Sequence, residues 1–234
     1  MFSRFKKKIS PPNHIAIIMD GNRRWAKKNK ISKSLGHYEG AKNLRKIVEE
    51  CLKINLKFLT VYAFSTENWS RSEEEVNDLM SLLNKFLSDE SKLFNEKKIK
   101  LNILGDISRF PSDIQDKVTS LSNETKNNNS LTLNIALNYS SRDEIINAVN
   151  RIINDKNQSI SKEVFIKYLY TADIPDPDLI IRTSGEYRLS NFLLWQAAYS
   201  ELYFTKKLWP EFDVKELSNA LIEYSRRERR FGTN

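Results

Sequence analysis

Six short apolar runs punctuate the chain, at residues 14–19, 58–64, 99–104, 131–137, 179–181 and 201–204. Most are near-continuous in Ile, Leu, Val or aromatic residues instead of alternating with polar ones. That is the pattern of strands covered on both faces, and therefore of a parallel sheet. Between them the apolar positions recur at helical spacing. Residues 38–54 place Leu44, Ile47, Val48, Cys51 and Leu52 on one face. Residues 72–94 open on Ser72 followed three later by Glu75, a capping-box pattern. Residues 111–126 begin with Pro111, a favourable first helical residue. Residues 143–153, 162–170 and 214–230 complete the predicted helices. Strand–helix alternation along the chain predicts an α/β layered fold in one domain, residues 14–234, after a basic, flexible tail at residues 1–13. The helix at 72–94 is unusual, because its apolar residues cover more than one stripe. Two readings stand: a helix buried deep in the core, or one whose second surface lines an apolar cavity.

Composition adds a sign to this picture. The chain has 234 residues, 40% hydrophobic, with a formal net charge of +8. A basic balance suggests anionic partners: nucleic acid, a membrane surface or phosphate-bearing small molecules. The single cysteine, Cys51, excludes a disulfide within the chain, so nothing points to secretion. No apolar run approaches the roughly 18 residues of a membrane span. The N-terminus, MFSRFKKKIS, is basic without an apolar stretch, so it is not expected to be a signal peptide. A cytoplasmic protein is expected, with a peripheral contact at the inner face of the membrane.

Chemistry gathers where the strands end, which is where open parallel sheets bind ligands. The first strand ends in Asp20-Gly-Asn-Arg-Arg-Trp25, the second in Ser65-Thr-Glu-Asn68-Trp69-Ser-Arg71, the fourth in Asn138-Tyr139-Ser-Ser-Arg142 and the fifth in Arg182-Thr-Ser-Gly-Glu186-Tyr-Arg188-Leu-Ser190. A turn after residue 19 requires only the glycine and the asparagine. The aspartate and the arginines are surplus to it and point to a phosphate-bearing ligand, because guanidinium forks match phosphate oxygens. Asp20 has two readings on this chemistry alone, a salt-bridge partner or a carboxylate holding Mg²⁺ against a diphosphate. None of the six glycines forms a nucleotide-binding loop, G-x-x-x-x-G-K-[ST] or G-x-G-x-x-G. With only His14 and His37 present, no Ser-His-Asp set or zinc spacing appears. A nucleic-acid-binding module is the competing reading of the charge. The arginines lie at strand ends and not along one helix, so no nucleic acid is expected.

The ordered motifs His14-x-x-x-Ile-Met-Asp-Gly-Asn-x-Arg-Trp-Ala26, Gly36-His37-x-x-Gly40, Phe64-Ser-x-Glu-Asn-Trp69-x-Arg71, the segment from Arg182 to Gln196, Tyr199-x-Glu-Leu-Tyr-Phe204 and the terminal Arg-Arg-Phe-Gly232 together resemble the cis-prenyltransferases. Within that family the likeness is greatest to the bacterial undecaprenyl diphosphate synthases. The resemblance implies a six-stranded, mainly parallel sheet flanked by helices, with an apolar tunnel between sheet and helices. It implies an Mg²⁺-dependent dimer that adds isopentenyl diphosphate units to an allylic diphosphate such as farnesyl diphosphate. Residue by residue, it makes Asp20 the aspartate that handles metal and diphosphate. Gly21, Asn22, Arg24 and Trp25 become the loop around the allylic diphosphate, with Lys33 and His37 beside it. Ser65, Asn68, Trp69 and Arg71 form a segment near the reacting carbons, Asn68 among the catalytic groups. Arg182, Arg188 and Ser190 form the isopentenyl diphosphate pocket. Glu201 is implied as a second metal-linked carboxylate, and Arg230 and Gly232 as a tail that reaches a partner subunit. Ala63, Leu79, Leu82, Leu83 and Leu131 are the expected tunnel residues. Two departures stand out. Lys33 replaces an arginine frequent in the family, and Ser140 and Ser141 stand where relatives commonly carry glycine.

Overall fold

All six apolar runs become strands of one sheet: β1 (His14–Ile18), β2 (Phe58–Ser65), β3 (Ile99–Leu104), β4 (Leu131–Tyr139), β5 (Leu179–Arg182) and β6 (Glu201–Phe204). The computed structural model describes residues 11–155 and 159–227. The spatial order is β3-β4-β2-β1-β5-β6, and every neighbouring pair is parallel. The helices are α1 (Asn22–Lys28), α2 (Lys33–Lys53), α3 (Glu73–Glu96), α4 (Ser112–Thr125), α5 (Ser141–Asn154), α6 (Lys162–Ile166) and α7 (Val214–Arg226).

Side chains alternate along each strand, so one strand feeds two cores. Ile15 and Ile17 of β1, with Leu59, Val61, Leu133 and Ile135, pack into the larger core, where Leu44, Ile47, Val48 and Cys51 of α2 join them. Ala16 and Ile18 point the other way, toward Ala136, Ile180, Phe192 and Leu193. Glu144 ties α5 to this second side by accepting from the Tyr139 hydroxyl at 2.6 Å. The expected helical face of α2 is therefore the buried one, with Leu52 only partly covered.

Three local features differ from the pattern-based expectation. The segment after Gly21, read as a loop, is the short helix α1, too brief to show an apolar stripe and without a side-chain cap. Helix α2 starts five residues earlier than expected, at Lys33, because Ser32 accepts from the Leu35 N–H and caps it. Helix α7 stops at Arg226; Arg227 turns extended, and its guanidinium binds Glu201 at 2.7 Å and the Leu202 carbonyl at 2.9 Å. The two serines after β4 both accept from backbone N–H groups: Ser140 from Asp143, as the α5 cap, and Ser141 from Leu194 in the loop before β6.

The chain runs from β1 to β2 and out to the edge strand β3, comes back with β4 between β3 and β2, then crosses to β1's other flank with β5 and β6. The direction of winding thus reverses beside β1, and the crevice beyond its C-terminal end is where ligands bind in open parallel sheets.

Candidate active site

Asp20 follows β1 directly and is anchored at its backbone. Its carbonyl accepts from the Trp209 N–H at 3.0 Å and from the Thr183 hydroxyl at 2.6 Å. Its carboxylate oxygen Oδ2 lies 3.0 Å from Arg182 Nη2 and 3.3 Å from Arg24 Nη2. Burial by itself would raise the Asp20 pKa. Hydrogen bonds from the Ser184 and Arg182 side chains, with the charges of Arg182 and Arg24, outweigh burial and hold the group below its ordinary value. Arg182 ends β5 and is almost wholly buried; its Nη1 donates to Ser190 Oγ and to the Arg188 carbonyl, each at 2.6 Å. Arg24 is further braced by the Ser184 carbonyl at 3.0 Å and Glu186 at 3.1 Å. An anionic carboxylate is thus fixed between two guanidiniums at the edge of a cleft.

Two polar basins meet at Asp20. The first, about 720 Å³, is walled by Asp20, Ser65, Glu67, Asn68, Arg71, Arg142, Arg182 and Ser190. The second, about 680 Å³, is walled by Gly21, Arg23, Arg24, Lys27, Lys33 and Arg71. Asn22 and His37 border both. Each basin presents at least three cationic side chains, which suits a polyanion in each. Glu75, at the first turn of α3, gathers three of these cations from three elements: Arg71 at 2.9 Å, Lys33 at 3.6 Å and Arg23 at 3.7 Å.

Backbone geometry shapes the walls. Gly21 adopts φ +112°, and a side chain there would press on Leu208. Gly40 sits so close to Asn22 and Trp209 that a methyl group would collide with both. In the segment after β2, Asn68 Oδ1 accepts from the Ser65 N–H at 3.2 Å and rigidifies a single 3₁₀ turn, Thr66–Ser70. His37 touches Asn22 through Nδ1 at 3.4 Å, while His37 Nε2 and Asn22 Oδ1 are buried with no partner. Burial, followed by the nearby Arg71 charge, depresses the His37 pKa to about 4, so its ring is neutral at pH 7.

An apolar cavity of about 110 Å³ opens off the same place. Leu79, Leu82, Leu83 and Phe86 of α3 line one side, and Ala63, Ile135 and Leu137 line the sheet side. Met19, Asn22, His37, Ala63 and Leu79 border both this cavity and the first basin, forming a shared throat. Ala63 reaches the throat because the β2–β4 register is irregular there, between Tyr62 and Phe64. The second stripe of α3 therefore walls a cavity, the second of the two readings its pattern allowed.

The whole arrangement has close counterparts. Residues 18–232 match the family model described as "Putative undecaprenyl diphosphate synthase". The chain belongs to this prenyltransferase family. An isoprenyl transferase from Fusobacterium nucleatum is 57% identical over 221 residues, covering 94% of this chain and 96% of that protein. One from Clostridium acetobutylicum is 50% identical over 230 residues, covering 94% and 90%. Among solved structures, lavandulyl diphosphate synthase from Lavandula x intermedia, in complex with dimethylallyl diphosphate, superposes with a TM-score of 0.91 at 37% identity, over 95% of this chain and 98% of that one. A "probable undecaprenyl diphosphate synthase" from Campylobacter jejuni gives 0.81 at 35% identity, over 95% and 99%. The protein is a prenyltransferase enzyme, and the six-stranded sheet is that of its family.

Most residues expected at a prenyltransferase site converge in the two basins and the throat: Asp20, Gly21, Asn22, Arg24, Lys33, His37, Ser65, Asn68, Arg71, Arg182 and Ser190. Five expected residues lie elsewhere. Trp25 borders neither basin. Trp69 packs against Phe64 and Phe110, under Arg109, and donates to Asn138 Oδ1 at 2.8 Å. The Arg188 side chain projects to solvent and pairs with Glu186 at 2.7 Å; only its carbonyl, on Arg182, serves the site. Leu131 starts β4 opposite Ile99 and is fully buried in the core, away from the cavity. Glu201 starts β6 opposite Leu179, three residues before Phe204 meets Arg182. At roughly 3.3 Å per residue it lies about 10 Å below the strand ends, paired with Arg227. Arg230 and Gly232 lie outside the described residues. Sequence reasoning passed over Glu67, Arg142 and Arg23 as site residues, although all three stand inside motifs it singled out. The overlooked signal was simply a charged residue within reach of a strand end.

Among the described residues no group of three or more His, Cys, Asp or Glu is placed to hold a metal ion. One partly exposed carboxylate facing a diphosphate-sized basin fits Mg²⁺ instead, which takes one or two carboxylates and completes its shell with phosphate and water oxygens.

Proposed function

We propose that this cis-prenyltransferase condenses isopentenyl diphosphate with an allylic diphosphate such as farnesyl diphosphate. It would repeat the step to a long polyprenyl diphosphate, undecaprenyl diphosphate, for the carrier lipid of the cell wall. The observation that carries this reading is the pair of cationic basins meeting at Asp20, with an apolar cavity opening from their common throat. Two basins suit two diphosphates, and the cavity suits a growing hydrocarbon chain. At about 0.8 kcal/mol per buried CH₂, such a chain is strongly driven out of water.

In the proposed step the allylic carbon–oxygen bond breaks, and its electron pair leaves on the diphosphate. The isopentenyl double bond then forms the new carbon–carbon bond, and the adjacent carbon gives up a proton to an oxygen of the departed diphosphate. Arg23, Arg24 and Lys33, which line the second basin, would bind the leaving diphosphate and stabilise the charge that develops on it. Arg182, Arg142 and Ser190, which line the first basin, would hold the incoming diphosphate, so that the two reacting carbons meet near the throat. The neutral ring of His37 offers a hydrogen bond there without adding charge. Mg²⁺, held by Asp20 and diphosphate oxygens, would supply a compact positive charge to the bound diphosphate.

Homodimer formation and work in the cytoplasm belong to the same reading. Glu201, three residues below the strand ends on the edge strand β6, would serve metal or substrate only through a neighbouring copy. Among the described residues no helix is long and apolar enough to cross a membrane, so contact with lipid would be peripheral. The test is incubation of the purified enzyme with Mg²⁺, farnesyl diphosphate and radiolabelled isopentenyl diphosphate, then separation of the extracted lipids by length. A ladder ending near eleven isoprene units, abolished by chelator, is expected. A shorter ladder would keep the chemistry and revise the product. No incorporation with any primer would remove the reading.

A further inference from the structure

The turn between α1 and α2 protrudes, exposed at every residue from Lys27 to Lys33. From Gly21 to His37 the chain carries six basic residues, Arg23, Arg24, Lys27, Lys28, Lys30 and Lys33, and no acidic one. Set against a net charge of +8 for the whole chain, this is a substantial concentration of its excess charge. Four of the six have acidic partners within the fold: Asp20 and Glu186 for Arg24, Glu75 for Arg23 and Lys33, Glu211 for Lys28. Lys27 and Lys30 make no ion pair with a described residue. Beside them two large aliphatic side chains face water, Ile31 at 37% exposure and Leu35 at 50%. The turn is tightly built, with Lys30 at φ +56° and the Ile31 N–H on the Ala26 carbonyl at 3.0 Å. Aliphatic residues are thus presented on a tight turn beside two lysines that make no ion pair with a described residue.

The position of this tip matters. Ile31 and Lys27 form part of the rim of the second basin. A groove of about 220 Å³ runs from Ser32, Lys33 and Ser34 at the tip to Leu79 and Leu82, which also wall the apolar cavity.

We propose that this hairpin tip docks the enzyme on an anionic bilayer. Ile31 and Leu35 enter the boundary between headgroups and acyl chains, and Lys27 and Lys30 contact headgroup phosphates. Docked this way, the groove and the basin rim face the membrane, and a hydrophobic product can pass into lipid without crossing water. The purpose of the contact rests on the proposed polyprenyl product; the contact itself does not.

The test is flotation of the full chain, without substrate, on vesicles of phosphatidylcholine alone or mixed with phosphatidylglycerol. Lys30→Asn suits the left-handed backbone, and neither Lys30 nor Leu35 borders a basin or the cavity. Binding only to the anionic vesicles is expected. It should weaken with salt and fall roughly fivefold in Lys30→Asn, the equivalent of one lost basic residue at the surface. The double variant with Leu35→Gln should fall more than tenfold, with unchanged circular dichroism and prenyl transfer in detergent within twofold of the parent. Unchanged vesicle binding by the folded double variant would overturn the inference and assign the contact to another basic stretch, such as residues 6–8. Equal binding to neutral vesicles would also overturn it. Vesicle binding without any product ladder would instead remove the proposed function and leave the contact standing.

Discussion

At the residue scale, Asp20 is defined by what its oxygen touches. Two guanidiniums on Oδ2 keep it anionic in a cleft where an isolated carboxylate would resist ionisation. Asp20→Asn keeps the shape and removes the charge. Initial rates are expected to fall by orders of magnitude while the melting curve shows a folded protein; near-parental turnover would remove Asp20 from the chemistry. The two histidines carry a different message. Burial depresses both His14 and His37 to about 4. His14 is held inside by the Pro175 carbonyl at 2.6 Å and Thr60 Oγ1 at 2.7 Å. Below their unfolded value of about 6.5, the unfolded chain takes up protons that the folded chain refuses. Stability contributed by each neutral ring is therefore complete above that value and is lost as pH falls toward 4. The slope is at most about 1.4 kcal/mol per pH unit for each ring. Urea midpoints of His37→Asn, measured from pH 7 to pH 4, should fall less steeply than those of the parent. Parallel curves would show that His37 titrates normally.

At the scale of elements, α3 shows how one helix serves two environments. Leu87, Leu93 and Phe94 are buried in the core, Leu79, Leu82, Leu83 and Phe86 face the cavity, and the buried Met80 borders both. Its 24 residues carry apolar side chains around more than the usual stripe because the second surface is also dry. Leu83→Trp places a large ring into a cavity of about 110 Å³. The product ladder should shorten by several isoprene units with the first additions near their normal rate. An unchanged ladder would move the chain's path elsewhere. Helix α3 was visible in the sequence from its cap and periodicity. Helix α1 was not, because seven mostly charged residues offer no stripe and its start rests on Gly21 and not on a side-chain cap. The Ala63 irregularity was equally invisible, since a bulge depends on the partner strand's register.

At the scale of the whole molecule, strand order brings the charges together. Arg182 and Asp20 are 162 residues apart in sequence yet 3.0 Å apart in space, because β5 pairs with β1. The basins concentrate Arg23, Arg24, Lys27, Lys33, Arg71, Arg142 and Arg182 in one region, and such clefts focus their field on approaching anions. The apparent kcat/KM for both diphosphates should drop several-fold between low and roughly 0.3 M salt, as the screening length shortens, with kcat nearly constant. A salt-independent kcat/KM would show that long-range attraction plays no part in capture.

Local pattern was sufficient for much of this protein. Continuous apolar runs require burial on both faces, so six parallel strands followed from the runs alone. The polar residues just past those runs had to lie along one edge, so Asp20, Asn68, Arg71 and Arg182 were legible as a site. Which of the edge residues turn inward depended on packing across the chain. Trp69 turns to Phe64 and Phe110, the Arg188 side chain to Glu186, and Glu201 lies at the far end of an edge strand. Composition and periodicity constrain each residue against its near neighbours in the chain. A cleft is set by residues distant in sequence, through strand order, register and the helix laid across them, and only the folded arrangement supplies those relations.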